Sequence, residues 1–185
     1  MDGFGGNISL VPYNNNYEDL DALLSATKKS KAKILYLSNP DNPMGTFHSK
    51  ERIQDFIDNI PDKTILCLDE AYSDFVDVNE LVPIDIEKEN VLRLRTFSKA
   101  YGLAGLRIGY GIGNKKLVEA FNKVRNHFGV NRLGQIAAKV ALEDQEYLQF
   151  VLKKVDQSKK DIASIFEKFG FNSLVSRTNF VPINS

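Results

Sequence analysis

Hydrophobic positions along this chain switch repeatedly between two periods. Short aliphatic and β-branched runs, "ISLVP" (8–12), "AKILYLS" (32–38), "TILCLD" (64–69), "NVLRLR" (90–95) and "LRIGYGIG" (106–113), have the length and composition of strands. Between them, stretches from about Tyr17 to Lys29 and from Ser49 to just before Pro61 carry apolar residues at helical spacing. Five strand candidates separated by crossovers long enough for parallel pairing predict an α/β sheet covered on both faces by helices. Such a sheet binds ligands outside the carboxyl ends of its strands. From Asn114 onward the pattern turns helical: "KKLVEAFNKVRNHF" (115–128), "NRLGQIAAKVALED" (131–144) and a long stretch from Gln145 to about Phe169, halted by Gly170. The last residues, "NFVPINS", read as extended.

Composition narrows the chemistry. The 24 Lys and Arg balance 24 Asp and Glu, and no basic cluster is interleaved with aromatics, so nucleic acid is not an expected partner and small-molecule chemistry is. A length of 185 residues suits one compact unit or a domain with an appendage. The single cysteine, Cys67, sits inside an apolar run, reads as a small buried hydrophobe, and points to a reducing, cytoplasmic setting. No apolar stretch approaches the roughly 18 residues of a membrane span, and "MDGFGGN" is no signal peptide.

Three segments carry candidate chemistry. "TILCLDEAY" ends a buried strand in adjacent carboxylates, Asp69 and Glu70. Such an end fits a solvated strand end or the Mg²⁺-binding element of an ATPase, and the absence of the phosphate-cradling string G-x-x-x-x-G-K-[ST] weighs against the second reading. "LSNPDNPMGT" follows another strand, and its two prolines, each preceded by Asn, make a rigid turn containing Asn42. "RTFSKAYGLAGLR" offers Thr96, Ser98, Lys99 and Arg107 close together, a set able to clamp a phosphate and leave one amine free. Ala100, Gly102, Ala104 and Gly105 permit close approach of backbone to a ligand.

The motifs N-P-x-G (42–45), D-E-A-Y and S-K-A-Y-G-L-A-G-L-R, in this order, resemble those of the fold-type-I pyridoxal-phosphate aminotransferases, class I/II, and most of all the histidinol-phosphate aminotransferases among them. The resemblance implies a partial large domain of the aspartate-aminotransferase-like fold, mostly parallel and incomplete at both ends. It also implies that Lys99 forms a Schiff base with the cofactor, pyridoxal 5'-phosphate, and then moves a proton at the substrate Cα. By match to the family motifs, Asp69 faces the pyridine nitrogen, Asn42 and Tyr72 hydrogen-bond the phenolic oxygen, and Thr96, Ser98 and Arg107 grip the phosphate. No metal is expected. His48 and His127 fall outside the matched motifs and read as structural. Phe121, Phe128, Tyr147, Phe150, Phe166 and Phe169 recur at near-helical spacing and read as core or interface.

Family members are roughly twice this length. The chain is therefore expected to be a central fragment: 1–144 a partial cofactor-binding large domain, 145–170 a long connecting helix, and 171–185 the start of a truncated small domain. The stacking aromatic, the N-terminal phosphate loop and the arginine for the substrate carboxylate are not found in it. By analogy with the family sheet two strands are missing, one beside "LRIGYGIG" and one between "ISLVP" and "AKILYLS", so an unpaired apolar edge should stand exposed, compensated by dimerisation, a swapped element or disorder near residues 1–16. The parent is expected to be a cytoplasmic homodimer that transfers an amino group between an amino acid and a 2-oxo acid or phosphorylated ketone, with the fragment itself weak or inactive. A noncatalytic assembly module and an amino-acid-phosphate decarboxylase parent are the alternatives.

Overall fold

The computed structural model describes residues 5–126 and 128–184. His127 lies outside the described residues. A four-stranded sheet, in the order β3-β4-β5-β6, organises the first half of the chain: β3 (Ile34–Ser38), β4 (Ile65–Asp69), β5 (Val91–Thr96) and β6 (Gly109–Gly113). The first three are parallel, as the long crossovers require. β6 returns antiparallel to β5, so the sheet is mostly parallel, as the resemblance implied. The connection from Phe97 to Ile108 stays at the carboxyl end of β5 instead of crossing back, and Phe97 N–H donates to Ile108 O at 3.2 Å. Gly109 makes this return possible, because a Cβ there would stand 2.6 Å from Arg95 O.

Alternation along the strands sets the core. Leu35, Leu37, Leu66 and Leu68 point to one face and are almost completely buried, beneath α1 (Leu20–Ser30) and α2 (Lys50–Asp58). Leu20, Ile53, Phe56 and Ile57 complete that layer. Burial of each such side chain is worth about 1.5–3 kcal/mol. Asp19 caps α1 by accepting from Ala22 N–H at 3.0 Å, and Ser49 caps α2. On the opposite face Ile34 and Tyr36 are about half exposed, 54% and 50%, and Cys67 is only partly buried, so its reading as a buried hydrophobe was too strong.

The helix expected from Tyr17 begins at Leu20, because Tyr17–Glu18 (β2) instead pairs with Tyr13–Asn14 (β1) in a small hairpin. "ISLVP" forms no strand. Residues 8–12 have no ladder partner among the described residues, and a groove of about 550 Å³ lies between Gly6–Val11 and β3. β3 is thus an edge strand with apolar side chains in the open, as the sequence led one to expect.

Three helices follow: α3 (Lys115–Phe121), α4 (Arg132–Glu143) and α5 (Gln145–Lys168), the last ending before Gly170 at φ +81°. A short pair, β7 (Asn172–Ser173) and β8 (Ile183–Asn184), ends the described chain. Phe121, Phe128, Tyr147, Phe150 and Phe169 are exposed and only Phe166 is partly buried, so these aromatics do not form a core in this chain. Among the described residues no helix is long and apolar enough to cross a membrane.

Candidate functional site

The carboxyl ends of β3, β4 and β5 are aligned, with Ser38 opposite Asp69 and Asp69 opposite Leu94. The residues that follow these three strands meet at this end of the sheet. After β3, the loop carrying Asn42 is held by the buried Asp41, whose Oδ2 accepts from Met44 N–H at 2.9 Å and whose Oδ1 accepts from the Tyr13 hydroxyl at 3.0 Å. Asp41 N–H also donates to Thr46 O. Gly45 closes the loop at φ +68°, where a Cβ would stand 2.6 Å from Ser176 Oγ. On this rigid support the exposed Asn42 donates from Nδ2 to the Tyr72 hydroxyl at 3.1 Å.

After β4, Asp69 has both carboxylate oxygens engaged. Oδ1 accepts from Ala71 N–H at 3.0 Å and Oδ2 from the Tyr36 hydroxyl at 2.7 Å. Tyr72 is 4% exposed and packs edge-on against Phe180. Glu70 points to the other side and is buried between two arginines: Arg93 binds it through Nε and Nη2, and Arg95 Nε donates to Oε2 at 3.0 Å. Arg93 also donates to Val82 O. This triad fastens the end of β4 to β5.

After β5, the turn carrying Lys99 is pinned by the buried Phe97 and Ala100. The Phe97 ring packs against Tyr101 and Tyr110, and its carbonyl accepts from Leu103 N–H at 2.9 Å. Gly102 turns the chain at φ +69° and donates to Lys99 O. The Lys99 ammonium then stands over the Tyr72 ring, 5.0 Å from its centroid. Thr96 Oγ1 accepts from Ser98 N–H at 3.0 Å. Arg107, at φ +52°, is exposed and donates to Ala104 O at 2.8 Å within its own turn.

Of the seven residues singled out by sequence, Asn42, Tyr72 and Lys99 form one contact chain, Asp69 lies at the end of the central strand beside them, Thr96 and Ser98 follow the neighbouring strand, and Arg107 stands off. The set offers a nucleophilic amine, a carboxylate, an amide–phenol pair and two hydroxyls with a guanidinium nearby. Such donors suit a ligand with an electrophilic carbon, a basic ring nitrogen, an oxygen acceptor and a phosphate. A cleft of about 640 Å³, lined by Ser73, Asp74, Arg95, Tyr101 and residues of α5, borders the region without including Asn42, Asp69 or Lys99.

Tyr36 escaped the sequence reading, and so did the burial of Glu70. Tyr36 lies two positions before Ser38 on the same face as Asp69, a relation visible only once the β3–β4 register is known. Glu70 had a usable signal: two arginines alternating within the apolar run of β5 call for a buried carboxylate.

Electrostatics add a pH dependence at the edge of the site. Glu18 Oε2 accepts from Ser38 N–H at 3.1 Å, tying β2 to the end of β3, while the His48 ring donates to Glu18 O at 2.9 Å, in keeping with a structural histidine. Burial, and then the charge of Asp41, push the Glu18 carboxyl from 4.5 up to about 7. A carboxyl raised in the folded state favours folding at low pH, and that contribution is lost as pH rises from the ordinary carboxylate range through about 7. Glu18→Gln, which keeps an acceptor for Ser38, is expected to remove this loss and to raise stability above neutral pH by an amount on the order of 2 kcal/mol. Urea denaturation of both proteins across that range measures it, and parallel pH profiles would refute it.

The family described as aminotransferase class I and II matches residues 3–185. Histidinol-phosphate aminotransferase 2 of Carboxydothermus hydrogenoformans is 37% identical over 179 residues, covering 95% of this chain and 49% of that protein. The histidinol-phosphate aminotransferase of Bacillus licheniformis is 39% identical over 173 residues, covering 92% and 48%. Among solved structures, histidinol-phosphate aminotransferase from Sinorhizobium meliloti in complex with pyridoxal-5'-phosphate superposes with a TM-score of 0.96 at 47% identity, covering 98% of this chain and 50% of that one. The chain spans about half the length of the relatives it matches.

Proposed function

Because the chain belongs to the aminotransferase class I and II family, we propose that it carries the lysine-bearing half of a pyridoxal-phosphate-dependent transaminase. The parent activity moves an amino group between an amino acid and a 2-oxo acid or phosphorylated ketone, and the names of the relatives favour histidinol phosphate as the amino compound. The observation that carries this reading is the contact chain Asn42–Tyr72–Lys99 at the same sheet end as Asp69.

Lys99 would hold the cofactor's aldehyde carbon, Asp69 its ring nitrogen, Asn42 and Tyr72 its phenolic oxygen, and Thr96, Ser98 and Arg107 its phosphate. When bound, pyridoxal phosphate supplies an electron-accepting ring that lowers the barrier to losing the substrate Cα proton. The protein's own work is then positional. A free Lys99 amine would take up and return the proton at the substrate Cα. The buried Tyr72 ring gives that amine a fixed, partly dry setting. Arg107, whose guanidinium donates to Ala104 O here, would supply a charged donor to the phosphate.

A homodimer fits the exposed apolar side of α4, where Leu133, Ile136 and Val140 recur at helical spacing. Borohydride reduction of the chain with pyridoxal phosphate, followed by peptide mapping, tests the assignment of Lys99. A stable adduct confined to Lys99 is the expected result, and labelling spread over surface lysines would reject it.

A further inference from the structure

Resting on the cofactor reading above, we propose that Tyr36 is a positioning residue, whose hydroxyl fixes the plane of the Asp69 carboxylate so that it meets the cofactor ring in one orientation. A carboxylate at a strand end can turn about its last bond. Here Oδ1 is held by Ala71 N–H at 3.0 Å and Oδ2 by the Tyr36 hydroxyl at 2.7 Å, a short charge-assisted bond between adjacent strands. The two anchors differ in kind. The Ala71 amide belongs to the turn that follows β4, whereas Tyr36 reaches Asp69 from β3, across the register pairs Tyr36↔Cys67 and Ser38↔Asp69. Lys99 lies after β5, on the other side of Asp69. Asp69 is thereby braced from one neighbouring strand, while Lys99 follows the other. The Tyr36 ring is half exposed, so its position reflects the bond to Asp69 more than the packing of a core. Burial, and then the bond to Asp69 and its charge, raise the Tyr36 phenol above its ordinary range.

The test uses the full 185-residue chain in three forms: wild type, Tyr36→Phe and Asp69→Asn. Without cofactor, the Tyr36 Cζ resonance, identified by its loss in Tyr36→Phe, should titrate above the ordinary tyrosine range in the wild type and move down in Asp69→Asn. With pyridoxal phosphate, Tyr36→Phe should keep the Lys99-dependent visible band but shift its maximum, and it should retain cofactor about tenfold less tightly, the effect of one hydrogen bond worth about 1.4 kcal/mol. A Tyr36→Phe protein whose band and retention match the wild type overturns the role of Tyr36 and leaves the cofactor assignment standing. Absence of any Lys99-dependent band in the wild type overturns both, even where the Tyr36 titration behaves as expected.

Discussion

Lys99→Ala is expected to abolish the visible band that pyridoxal phosphate develops with this chain, with no compensating change in fold. The Lys99 amine stands at the shared end of β3, β4 and β5 with its position set by packing: Phe97 and Ala100 are buried on either side of it and its ammonium rests on Tyr72. The chain has many other lysines, yet those in described ion pairs, such as Lys88 with Asp58 and Lys116 with Glu89, sit at the surface, where pairing with a cofactor has no ring-side partner. Lys99→Arg should lose the band equally, because a guanidinium stays protonated and cannot add to an aldehyde. Far-ultraviolet circular dichroism should be unchanged in both variants. A band of wild-type strength in Lys99→Ala would remove this lysine from the chemistry.

The second large effect is on stability. Glu70→Ala would leave Arg93, 4% exposed, with Val82 O as its remaining partner, and would strip Arg95 of its carboxylate. Removing one member of a buried ion pair costs about 3–5 kcal/mol, because the charge left behind is neither solvated nor paired. That is a large share of the roughly 5–15 kcal/mol that holds a typical domain together. The denaturation midpoint should fall accordingly, and Glu70→Gln, which retains an acceptor oxygen, should lose less. Since Glu70 N–H also donates to Leu94 O at 2.8 Å, the damage falls between β4 and β5, where Asp69 and Thr96 emerge. A loss below about 1 kcal/mol in Glu70→Ala would mean that the arginines find other partners or water.

Much of this was legible in the sequence because the signals were local. The apolar runs gave β3, β4 and β5, Ser49 gave the start of α2, and Gly170 the end of α5. The motif residues Asn42, Tyr72 and Lys99 then proved to touch one another. What failed depended on neighbours. "ISLVP" has the composition of a strand, but a strand needs a ladder, and the groove beside β3 leaves it none. Which strand runs antiparallel turned on how the loop from Phe97 to Ile108 folds back, which periodicity does not encode. The aromatic positions of α5 repeat as a core face would, although nothing among the described residues covers most of them. Tyr36 was hidden for a similar reason: its meaning lies in the strand next door.

Soaking crystals of the chain in pyridoxal phosphate tests the central claim most directly. The account predicts continuous density from Lys99 Nζ into a flat ring whose nitrogen lies within hydrogen-bonding distance of an Asp69 carboxylate oxygen. A ring bound at Lys99 but turned away from Asp69, or density joined to a different lysine, would contradict it.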